Sequence, residues 1–261
     1  MRKDDSDALS FLNTAGITNQ VIFKALNNLV LDLKAADIWT RCTAIYPMVG
    51  ASATTHSYNL KNPAQYQLTF AGGWSHSSTG ALPNGTNAYA DTGINGSTVL
   101  TQSSNHLSFY SRSNTAAGTK ASMGAYNNTA SPNEILSLTL KNTTGNTGAF
   151  NTSQATGQFA AGLNADSRGF YILNKTGSGI GGLNIIKNGT IVAQNTVAIT
   201  TNTYANKNVY IGASSVTTGT AFQYDDKECA FSSIGTRLAS YQYPFYTSII
   251  TNFQTALSRN V

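Results

Sequence analysis

The chain has 261 residues, room for one large domain or two small ones. Charged residues make up 10%, against about 25% in an ordinary soluble domain, and Glu occurs twice. That excludes a helical bundle built on Ala, Glu, Lys and Leu, and also a disordered chain, which needs low hydrophobicity with high net charge. The formal net charge is +5, but the 16 Lys and Arg stand singly apart from Arg2-Lys3, so no clustered cations suit a phosphate backbone and no nucleic-acid partner is expected.

The start, Met1 to Asp7, lacks the apolar run of a secretion signal, and no segment reaches the length of a membrane span. A chain made in the cytoplasm is expected. Ser6 reads as the N-cap of a first helix and Gly16 as its C-terminal cap. Thr18 reads as the cap of a second helix, in which Ile22, Ala25, Leu26, Leu29, Val30 and Leu33 recur at helical spacing. The expected unit over residues 1–40 is a helical hairpin. Its stripe serves either to pack on the domain that follows or, through Ile22, Leu26, Leu29 and Leu33, to dock on a partner chain.

From residue 41 to 261 the pattern becomes that of a mainly β domain. Apolar residues run from Trp39 to Val49, and Gly72-Gly73, Pro83-Asn84-Gly85 and Asn95-Gly96 mark turns. Short β-prone runs follow at 107–112, 135–140, 169–174, 183–187, 190–193 and 208–212. Lys187-Asn188-Gly189-Thr190 is a hairpin signal, Asn-Gly with β-branched flanks. Strands at this spacing point to a sandwich of two antiparallel sheets. A last helix starts near Pro244, with Phe245, Tyr246, Ile249, Ile250, Phe253 and Leu257 as its apolar face. Cys42 and Cys229 lie too far apart for a CxxC site; they either close one long loop or stay free as buried small hydrophobes, which their apolar settings favour.

Catalytic signals are sparse. A glycoside hydrolase needs two facing carboxyl groups. Here Glu134, Asp91 and Asp166 are isolated, and Glu228 follows Asp225-Asp226 in a turn-like segment. His56, His76 and His106 show no metal-ligand spacing, and Ser75-His76 adjacency is not a triad. No nucleophile elbow occurs, and the glycines at 177–182 lack the Lys-Ser/Thr of a phosphate loop. No catalytic residue, metal ligand or cofactor is assigned; a calcium role for Asp225-Asp226 rests on one acidic turn. Tyr89, Tyr126, Tyr204 and Tyr241 lie in polar contexts and are the candidates for stacking on a sugar, against the alternative that they fill the core.

Two groups of motifs carry a resemblance. One is Gly72-Gly73-Trp74-Ser75-His76-Ser77-Ser78-Thr79-Gly80 with Pro83-Asn84-Gly85-Thr86-Asn87-Ala88-Tyr89-Ala90-Asp91-Thr92. The other is Tyr210-Ile211-Gly212-Ala213, Phe222 to Phe231, and Ile234-Gly235. With the helical start, they resemble bacteriophage virion proteins of Bacteroidota hosts that carry a concanavalin A-like (laminin-G-like) jelly-roll domain. The resemblance implies that Tyr210 to Ala213 is the strand before the last large loop and Glu228 to Phe231 the penultimate strand. It implies a non-enzymatic structural component of the virion: a vertex spike, head fibre, decoration or tail protein. Its partners would be other virion proteins and further copies of itself. The alternative is an adhesin for a host surface glycan; a polysaccharide depolymerase stands behind both.

Overall fold

The helical spacing of residues 6–35 produces two helices, α1 (Ser6–Ala15) and α2 (Gln20–Ala35). Gly16 caps α1 with φ 65°, but the N-caps lie one residue from those expected. Asp5, not Ser6, accepts from the Asp7 amide, and Asn19, not Thr18, accepts from those of Val21 and Ile22. Asp and Asn reach the N2 and N3 amides well. Asp5 also takes an ion pair from Lys34, which pins the two helices together. The computed structural model describes residues 3–116, 118–130, 133–151, 158–200 and 204–261.

After a 3-10 turn at Trp39–Arg41, chain order continues with β1 (Cys42–Tyr46), α3 (Ala53–Ser57), β2 (Thr69–Ala71), β3 (Trp74–Ser77), β4 (Gly80–Pro83), β5 (Tyr89–Asn95) and α4 (Gly96–Val99). Next come β6 (Asn105–Ser111), β7 (Met123–Asn127), β8 (Glu134–Thr139), β9 (Asn146–Asn151), β10 (Ala160–Leu163), β11 (Gly169–Lys175) and β12 (Leu183–Lys187). The chain closes with β13 (Thr190–Gln194), β14 (Asn208–Ile211), β15 (Ser214–Val216), β16 (Ala221–Phe222), β17 (Cys229–Gly235) and α5 (Gln242–Ala256). Glu228 to Phe231 therefore opens the last strand of the chain, not the penultimate one.

The strands form two sheets. The first runs β13-β12-β11-β6-β17-β4-β3, with β1 also on β17; the second runs β10-β9-β8-β7-β14-β5-β2, with β15 and β16 attached beside β7. Nearly all pairs are antiparallel; β15 with β7 is the parallel exception among the described residues. The Asn188-Gly189 turn joins β12 to β13 with φ 48° and 85°, the left-handed pair that a two-residue hairpin demands.

Alternation along the first sheet sorts its side chains to two cores. Leu107, Phe109, Tyr171, Leu173 and Ile185 face Met123, Ala125, Leu136, Leu138 and Ile211 of the second sheet. Tyr110, Phe170, Ile172, Ile186 and Phe231 face the other way, onto Phe11, Leu26, Leu29, Tyr246 and Phe253 of the helices. The order is thus helices, first sheet, second sheet. β6, β11 and β17 are buried along their whole length. This arrangement corrects the partner-docking reading of α2. Leu26, Leu29 and Leu33 are 0–2% exposed inside the chain's own core, and Ile22 packs against the same cluster. An amphipathic stripe goes to the nearest apolar surface, and here that is the back of the first sheet. Cys42 and Cys229 are free and buried, and burial pushes the Cys42 thiol up to about 12.

Candidate functional site

Among the described residues the outer face of the second sheet carries no helix, and its alternation brings aromatic rings to that face. In β5, Ala90, Thr92 and Ile94 point inward and are buried, so Tyr89 and Asp91 point outward. Across the ladder Asp91 lies opposite Tyr210 of β14 and Thr69 of β2; Tyr210 lies opposite Gly124 of β7, and Gly124 opposite Ser137 of β8. Two residues along, Tyr126 pairs with Ile135 on the same outward side. Tyr89 and Tyr210 stack with ring centres 4.7 Å apart and planes 12° apart. Tyr126 stacks on Phe222 at 5.1 Å and 27°. All four rings are half-buried. Burial, with Asp91, Tyr89 and Tyr224 beside it, raises the Tyr210 hydroxyl to about 12, so it stays a neutral donor at every physiological pH.

Beside Tyr126 and Phe222 the face dips into a pocket of about 220 Å³, lined also by Thr119, Ile135, Ser137, Thr139, Ser214 and Gln223. The Thr119, Ser137 and Thr139 hydroxyls and the Gln223 amide make no side-chain hydrogen bond among the described residues. Rings flanked by unspent hydroxyls and an amide can cover the C–H face of a sugar and bond its hydroxyls.

Two devices hold these rings. Trp74 of β3 donates its Nε1 hydrogen to the Ala71 and Tyr89 carbonyls, 3.1 Å each, and supports the Tyr89 strand from within. Its ring lies over Gly212, where an added Cβ would meet it at 2.8 Å and where φ is 80°, so Gly212 is required on both counts. The Phe222–Tyr224 segment is fixed by Asp225, fully buried, which accepts from the Ser122 hydroxyl (2.5 Å) and from Lys227 (3.0 Å) while its amide donates to the Gly212 carbonyl (2.8 Å). Asp226 pairs with Lys120 at 2.8 Å and Glu228 with Arg112 at 2.9 Å. The acidic turn spends its charge on neighbouring cations, and no cluster of three or more metal-ligating residues occurs among the described residues.

Of the four tyrosines singled out in the sequence, Tyr89 and Tyr126 stand on this face. Tyr204 is a correction: it is 3% exposed, and its hydroxyl bonds Asn105 and the Gln102 carbonyl, so a ring in a polar stretch is a core ring. Tyr241 is 62% exposed but belongs to the helical side, where it and Phe245 border a groove of about 570 Å³ with Asp32 and Asp37. Tyr210, Phe222 and Tyr224 were not among the candidates. The signal for Tyr210 was its place between inward Val209 and Ile211.

His56 and His106 are buried, and His76 is half-buried. His106 bonds the Thr236 carbonyl (2.6 Å) and the Ser233 hydroxyl (2.9 Å), and Ser233 in turn meets Ser108 and Tyr246. This Ser–His contact is buried and so has no access for a substrate. His56 and His76 meet Nδ1 to Nδ1 at 3.0 Å, beside Phe70 and Trp74. Among the described residues no helix is long and apolar enough to cross a membrane.

No family model matches the chain, and no curated protein is detectably similar to it in sequence. Solved structures do share the fold. Domain 4 of AbnA, a GH43 extracellular arabinanase from Geobacillus stearothermophilus, in complex with arabinotriose, superposes with a TM-score of 0.55 at 16% identity, over 79% of this chain and 98% of that domain. A mutant of Trypanosoma rangeli sialidase displaying trans-sialidase activity gives 0.54 at 13% identity, over 90% of this chain; the chain spans 39% of the sialidase's length. At these identities the likeness is one of fold alone, a β-sandwich.

Proposed function

We propose that this chain is a non-catalytic carbohydrate-binding β-sandwich module, displayed on a bacteriophage particle and directed at a host surface glycan. The observation that carries the glycan reading is the uncovered outer face of the second sheet. The stacked pair Tyr126–Phe222 lines a hydroxyl-bearing pocket there, with no carboxylate in its lining, and the Tyr89–Tyr210 stack stands on the same face. Two facing carboxyl groups, which glycoside hydrolysis needs, are not offered by that pocket. The likeness in fold to a domain solved with arabinotriose supports the same reading. The virion setting rests on the sequence motifs at 72–92 and 210–235 and on the neutral polar composition.

The test is a microarray of bacterial surface and plant cell-wall glycans probed with the full chain. Saturable binding to at least one glycan, with no release of reducing ends from it, is expected. An array with no signal overturns the reading. Reducing ends released by the wild type and abolished in an Asp32→Asn, Asp37→Asn variant would instead establish a depolymerase in the helical groove. Mass spectrometry of purified particles tests the virion setting separately.

A further inference from the structure

We propose that a second pocket, on the far side of the first sheet, binds the carboxylate of an acidic sugar. This deepens the glycan reading and rests on it. The pocket measures about 420 Å³ and lies between the ends of β11, β12 and β13 and the segment leading into α5, within the size range of small-ligand sites.

Two arginines, Arg41 and Arg237, line it, and no Asp or Glu does. The Thr236 amide donates to the Arg41 carbonyl at 2.8 Å, so the β1–β17 pairing brings the two side chains to one end of the sheet. Other described arginines are already engaged: Arg112 with Glu228, Arg168 with Asp166, and Arg259 with buried carbonyls. Arg237 gives one hydrogen to the Thr176 carbonyl at 3.1 Å, and the Arg41 guanidinium has no partner among the described residues. Two guanidinium groups thus line one cavity with no acidic side chain in it, and an anion held there gains from both. Their planar forks match a carboxylate in bidentate fashion. Asn184, Gln194 and Ser240 add neutral amides and a hydroxyl to the same lining. These can bond the ring hydroxyls beside a sugar carboxylate.

The experiment is an NMR titration of the full chain with methyl glucuronide, using methyl glucoside and inorganic phosphate as controls. Methyl glucuronide is expected to shift the amides of residues 41, 176 and 237–243. Arg41→Gln, which removes no hydrogen bond or ion pair made by that side chain among the described residues, is expected to weaken binding about tenfold, and Arg41→Lys to recover part of it. No shift at these residues overturns the proposal. So does a glucoside that binds as well as the glucuronide, because the carboxylate then goes unread, and so does phosphate that binds as tightly, because the site is then one for a bare anion. Neutral-glycan binding on the opposite face is measured in the Arg41→Gln variant as well. Neutral-glycan binding kept in that variant while glucuronide binding falls is the expected result; a wild type that binds the neutral glycan but not the glucuronide sinks this proposal alone, and a wild type that binds neither sinks the glycan reading.

Discussion

His106 is enclosed between β6 and α5 with both ring nitrogens bonded. Burial, against the pull of the Thr236 carbonyl, lowers its pKa to about 4, and burial with His76 nearby lowers His56 to about 3. Both are depressed from about 6.5 in the unfolded chain. The stability they confer is therefore complete above pH 6.5 and is lost as pH falls toward 4, where the unfolded chain takes up protons the folded one refuses. Melting temperature should drop over that window, and less steeply in His106→Gln; parallel profiles would contradict the assignment. Lys175 behaves the same way at higher pH. It is fully buried, its Nζ finds no partner among the described residues, and burial lowers it to about 8. An unpaired buried ammonium costs stability, so Lys175→Met should raise the melting temperature at pH 7, with less gain at pH 10. A lower melting temperature would show that the amine is satisfied.

At the scale of elements, α2 is a packing helix. Leu26 is 0% exposed against the back of the first sheet, and Leu26→Ala should cost about 2–5 kcal/mol by chemical denaturation; a cost under about 1 kcal/mol would mean the helix is loosely attached. The helical hairpin, the Asn188-Gly189 turn and β12 were legible because each depends on local physics: three- and four-residue spacing, positive φ, and β-branched flanks. The role of the α2 stripe was not, because periodicity marks an apolar face without naming what covers it. In β6, β11 and β17 both faces are buried, so the period-two signal that tells a strand's inside from its outside is blurred. The candidate site was half legible. Tyr89 and Tyr126 carry their polar context in sequence. Tyr210 and Phe222 join them only through pairing across the sheet and through the Asp225 anchor, and Tyr204 turns inward to Asn105, 99 residues away.

For the whole molecule, the layering leaves two different faces: helices over the first sheet, bare strands on the second. The end of the chain locks the helical layer down. Arg259, 1% exposed, donates to the carbonyls of Pro47, Met48 and Ala230 and to Gln254 Oε1, all within 2.8 Å. Removing it strands buried acceptors, so Arg259→Ala should destabilise the fold by about 3 kcal/mol or more. A loss under about 1 kcal/mol would show that α5 is held by its apolar face alone. A module secured in this way can present its open sheet to a ligand.

The most direct test of that presentation is the affinity of a Tyr210→Ala, Phe222→Ala variant for whichever glycan the wild type retains, measured by calorimetry beside a thermal melt. Loss of binding by tenfold or more, equal to about 1.4 kcal/mol, with the fold intact, is the predicted result. Unchanged affinity in a folded variant would place the sugar elsewhere and contradict the account.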